Sequence, residues 1–225
     1  FSKIIAVSPS VADYAIAREG APRDKIKIIY NGINFSRFSK KEKNNFSSPP
    51  IIINVARLEA QKGHEYLMRA LYKIKDPPWM LWLVGEGALR ERILADVKGL
   101  GLEDRVKLLG ARHDVPNLLA QADIFVFPSL WEGMGLAALE AAATGLPIIA
   151  SAVGGLANTF KNKKNALLVP ARDEAALGKA IQWMLEHPGE ALFMAKEAND
   201  FVKREFSVEK MTREYEGVYV KLLNC

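Results

Sequence analysis

From residue 51 onward, short apolar runs alternate with longer segments of helical periodicity, and this alternation restricts the possible fold more than any other feature. Strands are expected at IIINVARL (51 to 58), WMLWLVG (79 to 85), VKLLG (106 to 110), DIFVFPS (123 to 129), LPIIAS (146 to 151) and ALLVP (166 to 170). Several are apolar at nearly every position, as strands covered on both faces must be. Helices are expected between them at 63 to 74, 88 to 98, 115 to 121 and 135 to 144; in the first, Leu67, Leu71 and Ile74 share one face. The order predicts an α/β fold, a Rossmann-like parallel sheet with helices on both faces. Residues 173 to 223 then carry helical patterns with no strand between them, so C-terminal helices follow the sheet, with His187 before Pro188 marking a helix end.

The first fifty residues read differently. A strand-like IIAVS is followed by a helix after Pro9, a strand-like KIKIIY (25 to 30) and the turn dipeptide Asn31-Gly32. SKKEKNNFSSPP (39 to 50) is polar, ends in two prolines and reads as an exposed loop. The chain has 225 residues and begins with Phe1. At roughly 100 to 200 residues per domain, it is about one and a half domains, which suggests a piece of a larger protein.

Composition narrows the classes further. With 49% hydrophobic and 25% charged residues the chain is an ordinary globular sequence. No apolar run approaches the roughly 20 residues needed to cross a bilayer, and FSKIIAVSPS does not read as a signal peptide. The single cysteine, Cys225, cannot form an internal disulfide and suits a reducing compartment. Lys plus Arg exceed Asp plus Glu by 31 − 26 = 5, an excess compatible with an anionic ligand, a membrane surface or nucleic acid.

In an open parallel sheet ligands bind at the carboxyl ends of the strands, where helix N-termini present free N–H groups. Two cations, Arg57 and Lys62, follow the first strand, and Gly85 and Arg112 follow the second and third. Glu132, Gly133, Met134, Gly135 and Leu136 follow the fourth, with Glu140 further along the helix. Arg57 and Lys62 beside a glycine-led helix start describe an anion site; read singly, the two cations are also compatible with a solvated surface pair. If the helix starts near Gly135, Glu132 and Glu140 address different parts of one ligand. VGEGALRERI lacks the third glycine of a dinucleotide fingerprint, with Arg90 in its place. The sequence has no phosphate loop, no nucleophile elbow and no Asp-x-Asp motif, and His64, His113 and His187 are not spaced as a zinc pair. No metal or resident cofactor is expected.

EGMGLAALEAAATGLPIIAS resembles the nucleotide-sugar signature of the group 1 (family four) retaining glycosyltransferases with the GT-B fold. VARLEAQKG resembles that family's phosphate-binding segment, GEG its next loop, RVKLLGARHDVPNLLAQADIFVFPSLWEG its approach to the glutamates, and IIYNGIN its interdomain hinge. The resemblance implies that Arg57 and Lys62 hold a donor diphosphate with the N–H groups of Gly135 and Leu136. It implies that Glu132 touches the transferred sugar, that Glu140 accepts from the ribose hydroxyls, and that the loop at Arg112 meets the base. Ala56 stands where the family usually has glycine, Met134 where phenylalanine is common, and Ala157 and Asn158 where proline and glutamate often stand.

By the same resemblance, residues 31 to 205 form the donor-binding lobe. Residues 1 to 30 are then the end of an N-terminal lobe with the approach to the hinge, and 206 to 225 a helix crossing back to that lobe. The expected function is metal-independent sugar transfer with retention, from a nucleoside-diphosphate sugar to a glycan, lipid or small-molecule acceptor held mainly by the missing N-terminal lobe. The isolated chain is expected to bind donor without being catalytically complete. Nucleic acid is not expected as a partner; the expected location is cytoplasmic, with peripheral attachment to a membrane left open. A non-catalytic nucleotide-sugar-binding module or partner subunit is the competing reading. A glycoside hydrolase using Glu132 and Glu140 as an acid pair is a third.

Overall fold

The structure, a computed structural model, describes residues 3–38 and 45–223. Residues 39–44 of the polar loop expected at 39 to 50, and Cys225, lie outside the described residues. The chain runs β1 (Ile4–Ala6), α1 (Pro9–Glu19), β2 (Ile26–Ile28), β3 (Ile51–Val55), α2 (His64–Tyr72), β4 (Met80–Val84), α3 (Arg90–Gly99), β5 (Val106–Gly110), α4 (Val115–Gln121) and β6 (Ile124–Phe127). It continues through α5 (Leu136–Ala143), β7 (Ile148–Ser151), α6 (Gly154–Thr159), β8 (Leu167–Val169), α7 (Glu174–Glu186), α8 (Pro188–Glu205) and α9 (Val208–Leu223).

Strands β3 to β8 form one parallel sheet in the order β5-β4-β3-β6-β7-β8, and all six lie where the apolar runs predict them. Within each strand the period of two sorts side chains onto opposite faces. Ile52, Ile124, Val126 and Ile149 join one buried cluster with residues of α2, α3 and α7. Ile53, Phe125, Phe127 and Ile148 join a second with residues of α4, α5 and α8. Both faces are therefore covered, as the near-continuous apolar runs require.

The chain winds outward from β3 to β4 and β5, returns through α4 to β6, and winds the other way through β7 and β8. The reversal point lies between β3 and β6, where their carboxyl ends part and a crevice opens. At the opposite end, buried Asp123 accepts hydrogen bonds from the N–H groups of Ile51 (2.8 Å) and Ser47 (3.2 Å). Inside the sheet, Asn54 donates to the carbonyl of Val126 at 2.8 Å. These contacts set β3 and β6 relative to each other, and so set the loops that leave them.

β1 and β2 form a separate two-stranded parallel sheet. Their connecting helix, α1, packs on α6, so this N-terminal unit leans on the crevice rim. The short α6 is not anticipated by the sequence reading; GGLANT has two glycines and no apolar period.

Candidate functional site

The loop after β3 leaves the sheet at Ala56, whose N–H donates to Val84 O (2.9 Å), and ends in a tight turn over Ala60–Lys62. Gly63 follows with φ of 66°, in the left-handed region. A Cβ there would stand 2.1 Å from the carbonyl oxygen of Pro128, so only glycine lets this turn lie against the end of β6. The two loops are further joined by Leu130 N–H to Gln61 O (2.7 Å) and Gln61 Nε2 to Trp131 O (2.9 Å).

This closeness brings Lys62 and Glu132 together across 70 positions of sequence: Nζ donates to Oε2 at 2.6 Å, with side chains only 11% and 14% exposed. The ammonium also lies 5.1 Å from the centre of the Phe127 ring. Arg57 differs, at 67% side-chain exposure with its guanidinium 2.9 Å from Glu59. The expected pair of cations thus consists of one nearly buried charge paired with Glu132 and one exposed charge paired with Glu59. Behind Lys62, burial first and the Lys62 ammonium second push the pKa of His64 down to about 4, against a backbone contact at Glu59 that raises it. His64 is therefore neutral at pH 7.

Glu132 sits on a loop backed by α6. The N–H of Gly155 donates to Glu132 O at 3.0 Å, and a Cβ on Gly155 would fall 2.2 Å from Gly133 O. From the other side Ser8 Oγ donates to Gly133 O at 2.6 Å, so the N-terminal unit grips the same loop. Gly135 then takes φ of 79° and opens α5 at Leu136. The first N–H groups of a helix have no partner within it, and these face the crevice with a partial positive charge.

Arg57, Lys62, Glu132, Met134, Gly135 and Leu136 line one cavity of about 350 Å³ together with Val7, Asn31, Val55 and Ala56. Glu140 and Arg112 line a neighbouring cavity of about 240 Å³ with Arg37, Phe38, Val55, His113 and Pro116. Val55, at the end of β3, borders both. The two acids therefore serve adjoining spaces. Burial raises the pKa of Glu140, and the nearby Arg37 charge offsets part of that rise. Arg112 is paired in fork geometry with Asp114 at 2.8 Å through both Nε and Nη2, which raises its own pKa and lowers that of Asp114.

Two expected ligand contacts are not among the lining residues. Gly85 has a backbone role: a Cβ on it would stand 1.9 Å from Ala56 O, so it lets the β4 end approach the β3 loop. Gly133 turns toward the N-terminal unit, its hypothetical Cβ 3.5 Å from Val11 and its carbonyl held by Ser8. Conversely, Arg37, Asn31 and His113 line the cavities without having been singled out as site residues. The hinge motif signals Asn31 weakly, while Arg37 lies 103 positions from Glu140 and no local pattern links them.

Residues 36–204 match the family model for glycosyl transferases group 1. The chain is 32% identical over 231 aligned positions to a glycosyltransferase of Methanocaldococcus jannaschii, covering 96% of this chain and 59% of that protein. It is 31% identical to the UDP-Gal:alpha-D-GlcNAc-diphosphoundecaprenol alpha-1,3-galactosyltransferase of Escherichia coli, over 88% of this chain and 55% of that one. The crystal structure of Anabaena HepE in complex with UDP superposes with a TM-score of 0.88 at 26% identity, over 98% of this chain and 64% of that one. The chain thus spans less than two thirds of the proteins it matches. The family match over most of its length, the six-stranded parallel sheet and the GT-B neighbours agree: the chain belongs to the group 1 glycosyl transferases.

Proposed function

We propose that this chain is the donor-binding lobe of a retaining glycosyltransferase that takes a nucleoside-diphosphate sugar and transfers the sugar to an acceptor hydroxyl without a metal ion. The observation that carries this reading is the Lys62–Glu132 pair, 2.6 Å apart and nearly buried, in one cavity with Arg57 and the start of α5. The diphosphate lies against Lys62, Arg57 and the N–H groups of Gly135 and Leu136. Glu132, oriented by Lys62, accepts hydrogen bonds from the transferred sugar. Glu140 accepts from the ribose hydroxyls, and the base lies toward Arg112 and His113. In this reading residues 31 to 205 are the donor lobe, while 1 to 30 and 206 to 225 belong with a second lobe that holds the glycan, lipid or small-molecule acceptor.

When the bond between the sugar and the diphosphate breaks, negative charge grows on the departing phosphate oxygens. Donors already aimed at that position lower the barrier because they need no reorganisation during the reaction. Lys62, Arg57 and the helix N-terminus supply the charge that a metal supplies in other transferases. The acceptor hydroxyl attacks the anomeric carbon on the face that the diphosphate leaves, and a diphosphate oxygen takes its proton.

Isothermal titration with UDP tests the site. The double variant Arg57→Ala, Lys62→Ala loses charge-assisted hydrogen bonds worth roughly 1.5–3 kcal/mol each, so affinity falls at least about tenfold, and less for uridine monophosphate than for UDP. Unchanged UDP affinity in a folded double variant would show that the diphosphate does not lie there. Titrating UDP-, GDP- and ADP-sugars against the same protein identifies the donor base.

A further inference from the structure

A second sizeable cavity lies away from the crevice. A groove of about 850 Å³ lies at the β8 edge of the sheet between α7 and the start of α8. Asn162 and Lys163 precede β8, and α7 ends at Glu186 after running back along it, so much of the groove lies toward the amino ends of the strands, away from the donor cavities. Its walls are Leu167, Leu168, Val169, Ala180, Met194 and the rings of Trp183 and Phe193. Phe193 is 64% exposed, although it is among the most apolar side chains of α8. Trp183 stacks on His187 at 4.8 Å and 10°. A volume of this size falls within the range of small-molecule sites, roughly 300–1,000 Å³.

The rim is cationic. Lys163 and Lys179 line the groove, and Lys161 and Lys164 are exposed on the turn that carries Lys163. Glu190 is the one acid in the lining. Among the described residues none of these four lysines forms an ion pair.

An edge strand beside an apolar groove ordinarily invites a peptide to add as a further strand. Here the edge is closed by its own turn. The N–H of Leu168 donates to Asn162 Oδ1 at 3.0 Å, and Lys163 N–H donates to Ala166 O at 2.9 Å. What remains for recognition is apolar wall plus ammonium groups, the complement of an amphiphile with a hydrocarbon chain and an anionic head.

We propose that this groove docks the chain on an anionic phospholipid bilayer, seating one acyl chain against Trp183 and Phe193 with the lipid phosphate on Lys163 and Lys179. One buried chain gives only marginal membrane binding, and a basic patch supplies the second attraction that makes it effective. Each lysine near an anionic surface adds about 1 kcal/mol, which corresponds to roughly fivefold in affinity. This docking is independent of the donor site.

Sedimentation with unilamellar vesicles tests it. Vesicles of phosphatidylcholine containing phosphatidylglycerol should bind the chain at least tenfold better than phosphatidylcholine alone, with the difference shrinking as salt rises. Lys163→Glu with Lys179→Glu, both at exposed positions, should remove at least tenfold of that binding while UDP affinity and melting temperature stay unchanged. Lipids brominated on the acyl chain should quench tryptophan fluorescence, and Trp183→Phe should abolish the quenching. Equal binding to both vesicle types, or binding to neither as expected for a groove that takes an acidic protein helix, overturns the proposal. So does quenching that survives Trp183→Phe and disappears in Trp131→Phe, which would move the contact to the donor crevice.

Discussion

Lys62 and Glu132 are a costly pair to build, since each charge gives up water and the attraction between them returns only part of that loss. Removing one leaves the other buried and uncompensated, so a single Lys62→Ala change is expected to lower stability as well as ligand affinity. Glu140 gives a cleaner separation of the two effects. Its pKa is raised in the folded chain, mainly by burial. In the unfolded chain it titrates as an ordinary glutamate, near 4.3. The folded state thus binds the proton more tightly, so ionisation works against folding above the raised pKa and the penalty vanishes below about pH 4. Glu140→Gln should therefore raise the melting temperature at pH 7 and leave it nearly unchanged at pH 4. If Glu140 accepts from the ribose, the same variant should weaken UDP and uridine monophosphate alike, by about tenfold or more for the loss of a charged acceptor. Higher stability with unchanged affinity at pH 7 would make Glu140 a half-buried acid without a ligand.

At the scale of elements, the candidate site depends on how α5 is held at both ends. Its start is set by Gly135 and the loop braced by Gly155. Its last carbonyls are met from α8, where buried Asn199 donates through Nδ2 to Ala142 O (2.8 Å) and Ala143 O (2.7 Å). A helix end buried without such a partner leaves orphaned acceptors. Asn199→Ala should cost about 1–3 kcal/mol, and at roughly 2–4 °C per kcal/mol for a domain of this size the melting temperature should drop by several degrees. Asn199→Asp should not restore it, because a carboxylate cannot donate. A melting curve matching the parent would show that water serves those carbonyls equally well. The elements themselves were legible where burial imposes a pattern. The main sheet is covered on both faces, so most positions of its strands are apolar, and α2 shows its core stripe through Leu67 and Leu71. α6 was not legible, because its reason for being helical is the close approach of Gly154 and Gly155 to the Glu132 loop, a long-range constraint with no local period. Gly85 and Gly133 show the limit of the same reading: a glycine after a strand signals close approach, but not whether a ligand or a second backbone approaches. The Lys62–Glu132 contact was foreseeable only as far as topology brings two loops to one crevice; its pairing depends on Gly63.

At the scale of the whole molecule, the chain covers 59% and 55% of the two curated relatives, and several large apolar side chains near its two ends are exposed. On α9, Tyr219, Val220, Leu222 and Leu223 are exposed, and on α1 so is Tyr14. The cavities lined by Lys62 and by Glu140 are open at the carboxyl ends of the strands, and in the proposed reaction the acceptor hydroxyl must be held about 3–3.5 Å from the anomeric carbon. Binding a donor and orienting an acceptor are separable tasks, and every group assigned to the reaction here acts on the donor. The chain alone should therefore bind UDP through Lys62 and Arg57 yet transfer sugar at least about a thousandfold more slowly than a longer polypeptide carrying the second lobe, since positioning of the acceptor accounts for effective molarities far above any free concentration. The measurement is transfer from a labelled UDP-sugar, or whichever donor the titration selects, with the chain alone and with the longer polypeptide at equal donor saturation. Comparable rates would mean that the acceptor site lies within these residues and that the two-lobe division at residues 30 and 205 is wrong. Donor binding by both polypeptides with transfer by neither would instead favour a module that senses nucleotide sugars. The lobe would then keep the Lys62–Glu132 pair for recognition, with no bond to break.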